Sequence, residues 1–260
     1  VFDPNTITQL ASQIKEKKLK NFSAKKEHRL NIPIVQDDGD KLILPISQGC
    51  LGACHFCSVK YVRGNLKSYR IGDIAREVEN SKAKVIYLTS QDCGCYGFDI
   101  DTNLAELLQV LCRIEREFII RVGMMSPEHL FKFLPDLIEA YKHPKVKKFI
   151  HLPLQSGSDR VLKEMNRQYT TEEFRFLVKE IRQAIPEIHV ATDIIVGYPT
   201  ETEEDFQKTK SFMEEIKFEV TNLSKYAERP KTWAKRNLIP LANDEVKRRS
   251  RIVSKMVHGY

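Results

Sequence analysis

From residue 41 onward, short apolar runs alternate with stretches of helical periodicity. The runs are Lys41–Ser47 (KLILPIS), Val85–Thr89 (VIYLT), Phe118–Val122 (FIIRV), Lys148–Pro153 (KFIHLP), His189–Val196 (HVATDIIV) and Phe218–Leu223 (FEVTNL). Each is short and rich in β-branched or aromatic residues, which predicts strands. Between them, Leu104, Leu107, Leu108 and Leu111 fall at i, i+3, i+4, i+7, as do Phe174, Leu177, Val178 and Ile181. That spacing predicts helices with one apolar face. Thr170-x-x-Glu173 is a capping box for the second of these, and Thr202-x-x-Asp205 resembles one for the next. Residues 1–40 lack this rhythm. Ile7 to Lys20 fits a short basic helix and Asp37–Asp40 a turn, so the segment reads as a lead-in or linker.

Six strands alternating with helices predict an α/β fold with a parallel sheet and helices outside it. Six such units fit a partial (β/α)6 TIM-like barrel spanning residues 41–240. An open doubly wound sheet is the competitor, weakened because no G-x-G-x-x-G follows the first strand. In either arrangement ligands gather at the carboxyl ends of the strands. Residues 241–260 predict a basic C-terminal helix.

Composition narrows the class. The chain has 260 residues, 42% of them hydrophobic and 30% charged, with a formal charge of +7. These values suit one globular domain and mildly favour an anionic partner such as nucleic acid. The tracts Lys15–Lys20 and Lys247–Arg251 are where phosphates would be met, although a charge run is more often a solvated helix face. No apolar run approaches the ~20 residues that span a bilayer, and no signal peptide opens the chain. Residue 1 is Val, so a piece of a longer chain is expected. Three of the six cysteines fall within eight residues, a pattern that predicts metal or redox use in a reducing cytoplasm.

Those three are Cys50, Cys54 and Cys57, spaced C-x3-C-x2-C just after the first strand. A structural zinc would need a fourth ligand, for which Cys93 or Cys95 in the loop after strand two are the candidates. That reading gives a zinc-stabilised RNA-binding module without catalysis. The alternative is a 4Fe–4S cluster held by three thiolates, which leaves one iron open. The methionine amine and carboxylate of S-adenosylmethionine (SAM) are donors able to chelate that iron. Cys93 and Cys95 otherwise read as inert thiols, and Cys112 as a core residue of a helix.

C-x3-C-x-aromatic-C, with Phe56 as the aromatic, resembles the radical SAM superfamily. The resemblance implies a cluster on Cys50, Cys54 and Cys57, bound SAM, and Phe56 near the adenine. Further stretches resemble the methylthiotransferase branch: LTSQDCGCYG (Leu88–Gly97), HLPLQSGSDRVLKEMNRQYT (His151–Thr170) and ATDIIVGYPTETEEDF (Ala191–Phe206). VRGNLKSY (Val62–Tyr69) and RVGMMSP (Arg121–Pro127) are similar to the archaeal and eukaryotic subgroup that acts on threonylcarbamoyladenosine in tRNA. The likeness runs from about Leu42 to Tyr260.

Strand ends then acquire expected roles. Ser90 and Gln91 stand where the superfamily receives the SAM amine, with the Gln91 amide oxygen as an acceptor. Arg121, inside an apolar strand, is expected either to grip the SAM carboxylate or to form a structural ion pair. Gln155 and Ser156 are expected on the SAM ribose and methionine. Asp193 needs a partner within the barrel, Ile195 is the apolar contact for the adenine, and Gly197 belongs to the same motif. Tyr226 lines the mouth or packs there.

The resemblance also implies parts outside this chain: an N-terminal domain carrying a second 4Fe–4S cluster, and a C-terminal RNA-gripping β domain. The implied activity is addition of a methylthio group at C2 of the modified adenosine in a tRNA anticodon loop, with an electron donor as partner and no membrane. The alternatives within the branch act on isopentenyladenosine in tRNA or on a ribosomal protein.

Overall fold

Six parallel strands carry the architecture in the computed structural model, which describes residues 40–258. Strands β1 (Lys41–Pro45), β4 (Val85–Thr89) and β5 (Ile119–Val122) form one parallel sheet in the order β1-β4-β5. Strands β6 (Phe149–His151), β7 (His189–Val196) and β8 (Val220–Lys225) form a second in the order β6-β7-β8. A parallel bridge Ile120↔Val146 and the bond from Lys147 N to Ile120 O (2.9 Å) join β5 to the segment before β6. The strand array therefore runs 1-4-5-6-7-8. Among the described residues no ladder joins β8 to β1, so the barrel is partial, as expected.

The helices follow their strands. They are α1 (Val59–Arg63), α2 (Ile71–Asn80), α3 (Leu104–Cys112), α4 (Pro127–Leu130) and α5 (Leu134–Lys142), then α6 (Asp159–Glu164), α7 (Thr171–Ala184), α8 (Glu203–Ile216), α9 (Trp233–Asn237) and α10 (Asn243–His258). Both capping boxes form: Thr170 with Glu173 starts α7, and Thr202 with Asp205 starts α8. Phe174, Leu177, Val178 and Ile181 are buried on α7, the face their spacing predicts.

Strand faces divide cleanly. Leu44, Ile86, Leu88, Ile120 and Ile150 are buried on one face. The opposite face carries Ile43, Tyr87, Arg121, Phe149, His151 and Asp193, half-buried or exposed, as suits the interior of an incompletely closed barrel. Strand ends differ from the sequence pattern by one to three residues. Phe118 precedes β5, β6 stops at His151, and β8 is shifted toward Lys225. Apolar runs include residues packed just outside a ladder, so hydrophobicity alone overextends strands.

Two small elements escape the sequence pattern. β2 (Ser47–Gln48) and β3 (Lys67–Ser68) pair antiparallel, Ser47↔Ser68 and Gln48↔Lys67. Two residues per strand are too few to show a period of two. This hairpin pinches the cysteine loop at its base. Gly49 has φ +73°, and a Cβ there would lie 2.0 Å from Asn65 O. Only glycine lets the two sides approach so closely. The expectations for residues 1–39, including the Lys15–Lys20 tract, lie outside the described residues.

The C-terminal helix is built into the domain. Arg249 of α10, 4% exposed, bonds the Glu201 carboxylate at 2.7 Å, which also accepts the Gly197 N–H at 2.7 Å. Gly197 (φ +76°) is needed because a Cβ would meet Val246 of α10 at 2.7 Å.

Two glycine substitutions are expected to move stability in opposite directions in urea denaturation. Gly49→Ala should cost about 1–3 kcal/mol, through strained backbone and the Asn65 clash. Gly72→Ala, where an added Cβ meets nothing within 4 Å on α2, should stabilise by up to about 1 kcal/mol.

Candidate functional site at the cysteine loop

The loop that leaves the β1 edge and closes at the β2–β3 hairpin carries the three thiols. Cys50 N bonds Gly64 O at 3.3 Å, so the first cysteine is held against the loop's return arm. The loop's tip is tied to α6. His55 N bonds Met165 O (3.0 Å), His55 Nδ1 faces Glu164 O (2.7 Å), and Asn166 Nδ2 donates to Ala53 O (2.9 Å). A second tether comes from far along the chain: Ala234 N donates to His55 O at 3.0 Å, and Trp233 stacks on the His55 ring at 4.1 Å. Cys50, Cys54 and Cys57 line a cavity of about 110 Å³ whose wall includes Val59, Tyr61 and Trp233.

Donors point at the sulfurs. Gly52 N lies 3.2 Å from Cys50 Sγ, Val59 N 3.4 Å from Cys57 Sγ, and Arg167 Nη1 3.1 Å from Cys54 Sγ. Arg167 is nearly buried, held by Glu128 (3.1 Å) and the Ser126 hydroxyl (3.3 Å). A buried guanidinium paired on one side and aimed at sulfur on the other favours the thiolate. A hydrogen bond from Cys95 pulls the Cys50 thiol down to about 7, against the opposing effect of burial. Burial pushes Cys54 and Cys57 up, opposed by Arg167 at Cys54 and by the Val59 N–H at Cys57.

Among the described residues, the one set of three ligand atoms all within 4.8 Å is Asp92, Cys95 and His129, not the loop triad. Three thiols on one cavity, with N–H donors and a guanidinium aimed at the sulfurs, are a donor set that suits an iron–sulfur cluster. Asp92 itself is engaged as structure. It accepts from Gly94 N (2.8 Å) and Ser126 N (3.0 Å) and faces His129 Nε2 at 3.4 Å. Cys95, beside this pair, hydrogen-bonds Cys50.

The sequence-predicted residues divide. Phe56, Ile195 and Tyr226 come together, partly buried, against Val161, Met165, Tyr198 and Ala234. Gln155, at φ +69°, has a buried side-chain oxygen without a hydrogen-bond partner. Arg121 lies over the rings of Phe149 (4.5 Å) and Tyr87 (5.5 Å), on the interior face, and makes no ion pair among the described residues. Asp193 finds its partners in His151 Nε2 (3.0 Å) and Asn222 Nδ2 (2.9 Å).

Other candidates are turned to different tasks. Gln91 Oε1 accepts from Gly49 N at 2.8 Å, so it fixes the cysteine loop rather than offering that contact to a ligand. Ser90 Oγ accepts from Asp92 N at 2.9 Å. Ser156 is fully buried, accepts from Ser158 N at 3.2 Å and lies 3.3 Å from Thr209 Oγ1 of α8, contacts that fit a strand–helix turn. Gly197 makes room for Val246, as described above. Cys93 is buried and its thiol pushed up to about 12 by burial and Asp92. Cys112 is only half-buried at the end of α3, not a core residue. Arg167, Asp92, His129 and Trp233 were not singled out by sequence. Their partners lie tens of residues away or more, and no local spacing announces them.

The Asp92–His129 pair gives stability a pH signature. Burial opposes both charges but is outweighed by their mutual bond. Asp92 is held below the ordinary carboxylate range and His129 above the ordinary imidazole range. The His129 contribution is present below about pH 6.5 and is lost as pH rises through its folded value. The Asp92 contribution is present above about pH 4 and is lost as pH falls through its own. In urea titrations of cluster-free protein, the deficit of His129→Gln against wild type should be widest between about pH 4 and 6.5 and shrink above that window.

Comparison with known proteins follows the same lines. A model described as "Radical SAM superfamily" matches residues 44–213. A relative from Pyrococcus horikoshii, "Probable threonylcarbamoyladenosine tRNA methylthiotransferase", is 45% identical over 232 residues, 88% of this chain and 54% of its own. The "Threonylcarbamoyladenosine tRNA methylthiotransferase" of Homo sapiens is 38% identical over 237 residues, 89% of this chain and 41% of its own. The chain thus spans about half the length of the curated relatives it matches. Among solved structures, a radical S-adenosylmethionine methyltransferase from Kitasatospora setae superposes with TM-score 0.63 at 15% identity, covering 80% of this chain and 42% of that one. Coproporphyrinogen III oxidase from Escherichia coli does so with TM-score 0.60 at 14% identity, covering 83% of this chain and 51% of that one. These two share the fold. With the family match running from β1 to α8, the chain belongs to the radical SAM superfamily, a family that implies a 4Fe–4S cluster and SAM.

Proposed function

We propose that this chain is the radical SAM domain of a tRNA methylthiotransferase that adds a methylthio group at C2 of N6-threonylcarbamoyladenosine. The observation that carries the reading is the identity of 45% to 38%, over nearly nine-tenths of the chain, to enzymes of that name from an archaeon to human. In this reading residues 41–240 are the catalytic domain, and α10 leads toward an RNA-binding domain. A further domain before it holds a second cluster. All six cysteines are free, which suits a reducing cytoplasm. No helix among the described residues is long and apolar enough to cross a membrane.

The residues divide the work as follows. Cys50, Cys54 and Cys57 hold the cluster, and Arg167 with the Gly52 and Val59 N–H groups stabilises their negative charge. When bound and reduced by an electron donor, the cluster supplies the electron that cleaves SAM to a radical able to take hydrogen from an unactivated carbon. Phe56 and Ile195 offer the adenine an apolar wall. Arg121, which forms no ion pair among the described residues, would take the SAM carboxylate. The orphaned Gln155 oxygen awaits a donor such as a ribose hydroxyl or the SAM ammonium. No general base is assigned, because C2–H is not acidic.

Anaerobic reconstitution followed by EPR of the reduced protein tests the reading. About four irons per chain are expected, with a signal that shifts on adding SAM. Cys50→Ala, Cys54→Ala and Cys57→Ala should each lose nearly all of that iron, while Cys112→Ala should keep it. Zinc without sulfide, or a cluster unmoved by SAM, would overturn the assignment. A shift with SAM but methylthiolation only of isopentenyladenosine tRNA or of a ribosomal protein by the full-length enzyme would redirect the substrate.

A further inference from the structure

Of the cations of the C-terminal tract that look most available in the sequence, all but Arg251 are engaged in the fold. In the Lys247–Arg251 tract, Lys247 faces Asp244 (3.6 Å), Arg248 pairs with Glu203 and Glu245, and Arg249 is buried on Glu201. A second group of cations, scattered in sequence, lies instead on the two segments that contribute Tyr61 and Trp233 to the wall of the cysteine cavity. Lys60 and Arg63 come from α1. Arg229, Lys231, Lys235 and Arg236 come from α9 and the turn before it. Neither segment, 59–63 or 229–237, contains an acidic residue. None of the six forms an ion pair among the described residues, and five of them are exposed.

Two large aromatics stand among these cations. Tyr61 is 55% exposed and Trp233 39% exposed, and both line the wall of the cysteine cavity. The two segments meet there, with the Arg236 guanidinium 6.0 Å from the Tyr61 ring centre and Trp233 stacked on His55. Exposed aromatic faces cost water contact unless something stacks on them. Unpaired cations around them supply what a sugar–phosphate backbone needs.

We propose that this rim, Tyr61 and Trp233 with Lys60, Arg63, Lys235 and Arg236, is the surface on which the RNA loop docks. Its cations take phosphates and its rings stack on unpaired bases next to the reacting adenosine. This deepens the RNA-substrate reading above and rests on it. The occupant is single-stranded RNA rather than a duplex, because splayed bases are what aromatic faces read. The α10 tract contributes less, because Lys247, Arg248 and Arg249 are paired within the chain.

The test uses the reconstituted chain and a fluorescein-labelled anticodon stem–loop RNA, with anisotropy titrations at several salt concentrations. Trp233 is the only tryptophan, so its emission reports the docking site directly. Wild type should bind with strong salt dependence and show Trp233 quenching. Lys60→Ala/Arg63→Ala/Lys235→Ala/Arg236→Ala should weaken binding roughly tenfold to hundredfold and flatten the log–log salt slope by about 3. Lys247→Ala/Lys255→Ala on α10 should stay near wild type. Circular dichroism melts confirm that the variants are folded. Equal loss in the α10 variant, or RNA binding that is unaffected by the rim changes and leaves Trp233 unquenched, overturns the rim while leaving the RNA reading standing. No binding of the stem–loop by wild type overturns both.

Discussion

Everything in this domain follows from one constraint: three cysteines on one short loop must present their sulfurs to one cavity. A loop cannot hold that arrangement by itself. The β2–β3 hairpin and the Gly49–Asn65 approach shut its base. The His55 contacts to α6 and to Ala234 hold its tip. Each tether lies on a different β/α unit, so the barrel must be assembled before the site exists. The loop's Phe56 then packs with Ile195 of β7 and Tyr226 just beyond β8, so the sulfur-bearing loop is seated on the later β/α units.

Electrostatics supports the same end. Thiolates buried in an apolar cavity are costly, and neutral N–H donors only partly offset the cost. Arg167 adds a full positive charge but would itself be costly if unpaired. Glu128 and Tyr169 hold it from behind. The chain of contacts, Glu128 to Arg167 to Cys54, carries compensation inward from α4 to the loop. At the protein's other charged region the logic is reversed. Arg248 and Arg249 of α10 pair with Glu203 of α8 and with Glu201 just beyond β7, which lock the last helix onto the domain, and with Glu245 of their own helix. The same residue type is structural in one place and free in another, and only its neighbours decide which.

The fold was largely legible because its signals are local. Six apolar runs, two capping boxes and the Leu104 and Phe174 stripes all report short-range chemistry, and all appear in the structure. The cysteine triad was legible for the same reason. Assignments of single side chains fared less evenly because they depend on direction. Ser156 and Gln155 are adjacent, yet the left-handed backbone at Gln155 sends one into the packing against Thr209 and leaves the other with an unpaired oxygen. Gln91 was read as a ligand contact, but Gly49 lies within its reach and takes the oxygen. Charge runs were the least reliable guide, since a tract is visible in sequence and its partners are not.

Trp233 shows what such long-range convergence achieves. It sits nearly 180 positions beyond its stacking partner His55, in a five-residue helix that few sequence signals would mark. By packing on the cysteine loop it couples the last β/α unit to the first, across the side of the barrel that no ladder closes. The stacking therefore does two things at once. It substitutes for the missing strand pairing, and it places an aromatic edge at the boundary between the cofactor cavity and the solvent. A fully closed barrel would have gained ladder bonds there and lost the opening. The domain instead bridges its gap with side chains, which hold the loop in register while leaving the cysteine cavity open beside Tyr61 and Trp233.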